Sequence, residues 1–309
     1  MRPFLIDCDT GTDDAIAIAA AFGCPDIEIK AITSVNGNVA EQYVCQNNLD
    51  LAEYLGFSGP VCKGAARPFC GSSRASDGTH GKTGLGDVLL PKAGVKQFDP
   101  RLAPEMIHDA AVAEQGKLEI LATGPLTNLG IALLLYPDLP SLIHHIWFMG
   151  GAVYGGNVTT SAEFNIWVDP EAAQVVMDSG IPLTMVGLDV TLKACMEPED
   201  EVQLRAAGGR AALLTADLLN FMFRRHAAGG EAALMHDALA LAAAVYPQCM
   251  EMEEYYINVE CQGQYTRGHT SADVRHRSGQ NPNVSAAMKL DVEKFRKWLV
   301  QAVIQSQAA

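Results

Sequence analysis

Apolar runs of strand length alternate with helix-forming segments along most of the chain. Five runs predict buried strands, and the last three end at or beside glycine or an acid: PFLIDC, IEIKAITSV, KLEILATG, IWFMGG and LTMVGLDV. Helices are predicted from about Asp13 to Phe22, from the NGN turn through Leu55, and over PLTNLGIALLLY, with Pro125 in the first turn. This alternation predicts an α/β fold with an open, mostly parallel, Rossmann-like sheet flanked by helices. Its active site is expected at the C-terminal edge of the strands.

Two segments interrupt the alternation. Residues 64–94 are rich in Gly, Ser, Arg and Lys around THGKTGLGD, which predicts a long functional loop. Residues 224–235 carry a glycine pair between two helical stretches, which predicts a mobile flap. The tail MKLDVEKFRKWLVQAVIQ predicts a last strand and a closing amphipathic helix. Because the sequence contains no repeat or linker, we expect one domain over residues 1–309.

Composition narrows the class of protein. A formal net charge of -14 disfavours binding to nucleic acid or to an anionic membrane surface. The sequence MRPFLIDCDTG does not have the form of a signal peptide, and no stretch approaches the roughly 20 apolar residues of a membrane span. The 8 cysteines are scattered with no CxxC pair, which is typical of reduced thiols in a cytoplasmic protein.

Four acids follow the first predicted strand within DCDTGTDD: Asp7, Asp9, Asp13 and Asp14. Because side chains alternate along a strand, Asp7 and Asp9 point to the same side, at the strand end where open α/β sheets bind ligands. Carboxylates this close repel one another, and a bound cation removes the conflict. Oxygen ligands without nearby His or Cys favour calcium or magnesium over zinc. The segment therefore predicts a hard-metal site.

Other interpretations of these acids fit less well. An acid in the first turn of a helix can simply interact favourably with the helix terminus, but capping requires one acid and not four. An EF-hand loop requires glutamate at its twelfth position, which here is Ile18. A haloacid-dehalogenase-like phosphatase starts with a similar DxDx[T/V] pattern, but the fifth residue here is Gly11. That phosphatase remains the weaker enzyme alternative.

Segments along the whole chain resemble the nucleoside hydrolase family in order and spacing. They are DCDTGTDDAIAI, AITSVNGNV, ATGPLTNLGIAL, FMGG, GNVTTSAEFNIWVDPEAA, VGLDVT and MHDALA, and the resemblance extends to the closing LDVEKF helix. The sequence is most similar to the broad-specificity bacterial ribonucleoside hydrolases of the inosine–uridine group. The resemblance implies hydrolysis of the N-glycosidic bond of purine and pyrimidine ribonucleosides to ribose and free base. It also implies Ca²⁺ as the cofactor, a small-molecule ribonucleoside as the partner, and a homo-oligomer, either a dimer or a tetramer.

The same resemblance implies roles for individual residues. Asp9 matches the general base that activates a calcium-bound water, and His236 is the best candidate for the acid that protonates the leaving base. The implied metal ligands are Asp7, Asp9, Asp14, Asp237 and the backbone carbonyl of Thr123. The implied substrate-binding residues are Asp13, Asn38, His80, Met149, Asn157, Glu163, Phe164 and Asn165.

Several of these residues also have a structural interpretation. Glu163 could be a solvated loop acid, Met149 a core side chain, His80 a surface histidine and His236 a helix cap. At the level of the whole protein, a non-catalytic ribose- or nucleoside-binding protein is the alternative from a different class. The presence of Asp9 argues against it, because binding alone does not require a general base.

The chain departs from the family pattern in two places. Thr10 stands where proline is frequent, which is tolerable in a turn. Arg224, Arg225 and His226 occupy the region near position 224 where family members often have a tyrosine. Base stacking and leaving-group protonation by this flap are therefore open, with His80 and His226 as further candidates for the acid.

Overall fold

Strands and helices alternate along the chain in the structure, a computed structural model that describes residues 1–72 and 78–306. The strands are β1 (Arg2–Cys8), β2 (Ile27–Ser34), β3 (Val61–Cys62), β4 (Leu118–Ala122), β5 (Ile143–Met149), β6 (Leu183–Val186), β7 (Met250–Tyr255), β8 (Ile257–Val259), β9 (Thr270–Ala272) and β10 (Val284–Leu290). The helices are α1 (Thr12–Ala21), α2 (Glu41–Tyr54), α3 (Ala103–Ala113), α4 (Thr127–Leu135), α5 (Phe164–Val168), α6 (Pro170–Met177), α7 (Leu188–Thr191), α8 (Pro198–Ala207), α9 (Arg210–Ala227), α10 (His236–Val245) and α11 (Val292–Gln305).

The central element is an 8-stranded sheet in the order β3-β2-β1-β4-β5-β6-β10-β7. Neighbouring strands are parallel except β7, which runs antiparallel to β10 at one edge. Strand order reverses between β1 and β4, because β2 and β3 extend to one side and β4, β5 and β6 to the other. Such a reversal opens a crevice at the carboxyl ends of the two strands. The predicted mostly parallel α/β sheet is confirmed.

The central strands are apolar along their length because helices cover both faces of the sheet. Phe4, Leu5 and Ile6 of β1 are at most 1% exposed. One face packs against α1, α9, α10 and α11, and the other packs against α3, α4 and α6. Helix α1 is buried at every position, since its sequence TDDAIAIAAA consists largely of small or apolar residues that allow close packing. The two acids that begin this helix are thereby held inside the protein.

Several elements differ from the sequence-based expectation. Helix α9 continues through Ala227, so Arg224, Arg225 and His226 form its last turn and the predicted flap begins only at Ala228. The end of the predicted strand LTMVGLDV is the short helix α7, which starts after Gly187. The alternating MEMEEY segment forms the edge strand β7, which was not predicted. Within the predicted loop at 64–94, residues 73–77 lie outside the described residues.

No helix in the described part of the chain is both long enough and apolar enough to cross a membrane.

Candidate active site

The acidic segment at residues 7–14, at the end of β1 and the start of α1, lies in the crevice where strand order reverses. The Oδ1 atom of Asp7 accepts hydrogen bonds from Thr33 Oγ1 at 2.6 Å and Asn128 Nδ2 at 2.7 Å. The Oδ2 atom of Asp9 accepts the backbone N–H of Asn38 at 2.8 Å. Each carboxylate keeps one buried oxygen, Asp7 Oδ2 and Asp9 Oδ1, with no hydrogen-bond donor among the described residues. Burial raises the pKa of Asp7 to about 6, and burial together with the charge of Asp14 raises the pKa of Asp9 well above its usual value.

Three carboxylates from two helix starts meet beside this segment. Asp13 and Asp14 lie in the first turn of α1, and Asp237 lies in the first turn of α10. One carboxylate oxygen from each lies within 4.8 Å of the other two. Helix N-termini favour negative charge, but burial and mutual repulsion still raise the pKa of Asp237 well above its usual range. The structure therefore groups Asp13 with Asp14 and Asp237 and includes neither Asp7 nor Asp9 in this group.

Thr123, directly after β4, forms hydrogen bonds both with the acidic residues and with Asn165 of α5. Its Oγ1 donates to Asp14 Oδ1 at 2.7 Å, and its backbone N–H donates to the carbonyl of Asp7 at 2.9 Å. The Thr123 carbonyl accepts the side-chain amide of Asn165 at 2.8 Å. A carbonyl oxygen has two lone pairs, so this one can still serve a second partner.

Two glycines allow the backbone to approach Asp9 closely. A Cβ atom at Gly37 would lie 1.9 Å from Asp9 Oδ2, and one at Gly124 would lie 2.9 Å from Asp9 Oδ1. Real side chains do not tolerate the first of these distances. Glycine at position 37 is therefore required for the hydrogen bond from Asn38 that positions Asp9.

The segment before and within α5 forms a buried polar wall. Glu163 is 3% exposed and caps α5, since its carboxylate accepts N–H bonds from Asn165, Ile166 and Gly151. Burial raises the pKa of Glu163 to about 7 despite these bonds. Glu163 is therefore not a solvated loop acid. Met149 is buried as well, with its carbonyl and Sδ both accepting from the Asn165 amide.

Two histidines approach the acidic cluster. His80 Nδ1 accepts the backbone N–H of Thr12 at 3.1 Å, which places the ring proton on Nε2, and it lies 3.7 Å from Asp13 Oδ1. Burial lowers the pKa of His80, although Asp13 and Asp14 act in the opposite direction. His236 begins α10 without capping it, and its buried Nδ1 has no partner among the described residues. Burial lowers the pKa of His236 as well.

These groups surround a cavity of about 440 Å³. Eleven of the residues expected from the sequence line it: Asp13, Asn38, His80, Thr123, Met149, Asn157, Glu163, Phe164, Asn165, His236 and Asp237. Asp7, Asp9 and Asp14 are buried behind the lining, and His226 is exposed outside it. The lining residues not anticipated from the sequence are Thr12, Thr79, Val158, Trp167, Met222, Arg225, Glu231 and Leu234. Met222 and Arg225 could have been identified from their spacing of three residues, which places both on one face of a helix.

Comparison with known proteins assigns this arrangement to a family. Residues 4–297 match the family described as inosine-uridine preferring nucleoside hydrolase. The chain belongs to the nucleoside hydrolase family. It is therefore an enzyme that hydrolyses the N-glycosidic bond of ribonucleosides, in a family that depends on a metal ion.

Individual nucleoside hydrolases similar to this chain differ in the base that their names specify. The chain is 38% identical over 299 residues to the pyrimidine-specific ribonucleoside hydrolase RihA of Escherichia coli, covering 95% of each protein. It is 31% identical to the purine-preferring ribonucleoside hydrolase from Gardnerella vaginalis, with a TM-score of 0.92 and 100% of both chains covered. An inosine-guanosine nucleoside hydrolase is similar too, at 30% identity and a TM-score of 0.88, covering 98% of this chain and 99% of that one. Family membership thus establishes the reaction and does not establish the base.

Proposed function

We propose that this enzyme hydrolyses both purine and pyrimidine ribonucleosides to ribose and free base, with calcium as its metal and Asp9 as the general base. The observation that supports the metal is the concentration of buried carboxylates, of which Asp13, Asp14 and Asp237 bring oxygens within 4.8 Å of one another. Among the described residues, the basic side chain within ion-pair distance of these acids is His80, whose pKa is lowered by burial. A divalent cation would supply the missing positive charge.

The donor set fits a hard cation. Carboxylate and carbonyl oxygens are the ligands that calcium prefers, and no cysteine or histidine is among the proposed ligands. We propose that Asp9, Asp14, Asp237 and the Thr123 carbonyl hold the ion. Thr33 and Asn128 hold Oδ1 of Asp7, and we propose that Asp7 contributes its Oδ2, which has no donor among the described residues, as a further ligand. When bound, calcium polarises a water molecule and the sugar hydroxyls, which lowers the pKa of that water.

Asp9 is suited to accept the proton from the attacking water. Its Oδ2 is fixed by the N–H of Asn38, its Oδ1 is unpartnered, and burial raises its pKa toward the range useful in a base. As the water oxygen bonds to the anomeric carbon, the C–N bond breaks and its electron pair leaves with the base. The neighbouring carboxylates stabilise the positive charge that develops on the sugar.

The remaining assignments follow the lining of the cavity. Asp13 and Asn165 are proposed to meet the sugar hydroxyls, since each presents an acceptor oxygen at the acidic end. Asn38, Met149, Asn157, Glu163 and Phe164 are proposed to complete the ribose pocket. His236 is proposed to donate a proton to the departing base, with His80 beside it.

We propose that the enzyme accepts both purine and pyrimidine nucleosides because the similar enzymes include some named for each class of base. RihA is named pyrimidine-specific and the Gardnerella vaginalis enzyme is named purine-preferring. The cavity of about 440 Å³ lies within the range of small-molecule sites, and its volume does not by itself exclude either ring system.

One assay tests the function and its alternatives. Metal-free protein is mixed with inosine or uridine, release of reducing sugar is measured, and calcium, magnesium or zinc is then restored separately. We expect no sugar without metal, full activity with calcium, and a loss of roughly 10²–10⁴ in turnover for Asp9→Asn. Full activity in verified metal-free protein would refute the metal assignment. Ribose binding without product would indicate a binding protein, and phosphate release from a phosphomonoester would indicate a phosphatase.

A further inference from the structure

The last turn of α9 presents one arginine to the cavity and a neighbouring arginine to solvent. Met222 and Arg225 are three residues apart, share a face of the helix and both line the cavity. Arg224 is 58% exposed and forms an ion pair with Asp87 at 2.6 Å outside the cavity. The two adjacent arginines therefore have different environments, and only one of them can reach a ligand in the site.

The guanidinium of Arg225 has no ion pair with a carboxylate among residues 1–72 and 78–306. Its Nη1 donates to the carbonyl of Thr79, and its buried Nε–H has no acceptor among the described residues. Six other described arginines pair with acids, namely Arg2, Arg101, Arg205, Arg224, Arg267 and Arg296, whereas Arg67, Arg210, Arg275 and Arg277 form no ion pair with a described residue. A partly buried cation paired only with a peptide carbonyl is a strong donor, available to a ligand that carries acceptors.

The loop after α9 holds this arginine in place. The N–H of Gly230 donates to the Arg225 carbonyl at 3.0 Å, and a Cβ atom at position 230 would lie 2.8 Å from Arg225 Cγ. The glycine pair at 229–230 thus lets the chain fold back against the arginine stem. Among the described residues, the side chain is therefore positioned by packing and by the Thr79 carbonyl and not by an ion pair.

Arg225 lies on the side of the cavity occupied by the two histidines. The Arg225 guanidinium contacts the carbonyl of Thr79, which immediately precedes His80. The positive charge of Arg225 contributes to the lowered pKa of both His80 and His236. In the proposed function, Asp13 and Asn165 bind the sugar, whereas His236 and His80 lie beside the base. A nucleoside with its ribose at the acidic end would direct its base toward Arg225.

We propose that Arg225 is a specificity-determining residue that donates to the exocyclic carbonyl oxygen of the leaving base, so that the enzyme prefers 6-oxopurine and 4-oxopyrimidine nucleosides to their amino counterparts. The proposal rests on the nucleoside orientation of the proposed function. Arginine is a donor with no acceptor, so it pairs with a carbonyl oxygen, and in purines with the adjacent ring nitrogen as well. An amino group at the same position presents a donor to a donor, which leaves the guanidinium unsatisfied.

The test uses two substrate pairs that differ at that one group, inosine with adenosine and uridine with cytidine. The ratio of kcat/KM within each pair is measured for wild type, Arg225→Met, Arg225→Lys and the control Arg224→Met. Arg224 contacts the 64–94 loop through Asp87, outside the cavity, as Arg225 contacts it through Thr79, so its variant reports any effect of anchoring that loop alone. Thermal melting confirms that each variant is folded.

We expect wild type to prefer the oxo member of each pair by roughly 10- to 100-fold, and Arg225→Met to lose most of that preference. Arg225→Lys should lie between them, and Arg224→Met should keep the wild-type ratios. Equal losses on all four substrates in Arg225→Met would overturn the proposal, because they would indicate a structural role through Thr79. A wild-type enzyme without preference would overturn it too.

A binding measurement separates this inference from the proposed function. Dissociation constants for the free bases hypoxanthine and adenine, measured by calorimetry with ribose and calcium present, do not depend on turnover. Tighter binding of hypoxanthine that Arg225→Met abolishes would support the proposal even in a protein that released no sugar. Equal binding of the two bases by wild type would refute it even in an active hydrolase.

Discussion

The substitution Asp237→Asn should stabilise the metal-free protein while it abolishes the activity. Oxygens of Asp13, Asp14 and Asp237 lie within 4.8 Å of one another. Two unit charges at that separation repel by roughly 3–4 kcal/mol at an effective dielectric constant near 20. If Asp237 instead takes a proton, keeping that proton at pH 7 on a carboxyl group whose ordinary pKa is near 4 costs roughly 4 kcal/mol. Asparagine has the same shape and removes either cost.

The expected gain depends on pH in a defined direction. Burial and neighbouring acids raise the folded-state pKa of Asp237, so the metal-free folded protein binds more protons than the unfolded chain above pH 3.8. The stability of the wild type therefore falls as pH rises from that value through the raised pKa. The advantage of Asp237→Asn should be near zero at about pH 4 and reach roughly 2–4 kcal/mol at neutral pH.

Urea unfolding at pH 4.5 and 7.5, in chelator and in calcium, measures this effect. In chelator at pH 7.5 the variant should unfold at higher urea than wild type, and calcium should reverse the order because the variant has lost a ligand. Asp217→Asn is the control, since Asp217 is exposed and paired with Arg205, and its change should stay within about 1 kcal/mol. A variant less stable than wild type in chelator at pH 7.5 would refute the claim that repulsion dominates this cluster.

Three further variants examine individual roles. His236→Ala should slow inosine by roughly 10²-fold or more and 4-nitrophenyl riboside much less, because nitrophenolate leaves without a proton; equal losses in kcat would exclude His236 as the acid. Asn165→Ala should weaken ribosides but add little loss on 2-deoxyribosides, because the Asn165 amide is donated to Thr123 and leaves its oxygen for a hydroxyl. Matched losses in kcat/KM on both sugars would contradict that contact. Gly37→Ala should lower turnover by roughly 10²-fold in a protein that still folds, since its Cβ would lie 1.9 Å from Asp9 Oδ2 and must displace that carboxylate. A near-normal kcat in Gly37→Ala would show that Asp9 can move without loss of activity.

Most of the confirmed predictions came from residues that are close together in the sequence. Strand β1 and helix α1 were predicted because a buried parallel strand requires an unbroken apolar run and a turn must follow it. The acids of DCDTGTDD were expected at the strand end for the same reason, since open α/β sheets place ligands there. The family resemblance added the distant segments, including MHDALA, whose acid no local pattern would have connected with the first strand.

The tertiary structure decided which of these residues meet. Asp237 joins Asp13 and Asp14 only because α1 and α10 pack with their N-termini together, and Asp7 is engaged instead by Thr33 on β2 and Asn128 on α4. The sequence did not single out Arg225, because its neighbours Arg224 and His226 are also basic. Its position around the axis of α9 and the fold of the 228–235 loop place it in the lining of the cavity. Local sequence determines secondary structure through periodicity and turn chemistry. Side-chain environment, burial and charge depend on contacts between segments far apart in the chain, which periodicity does not contain.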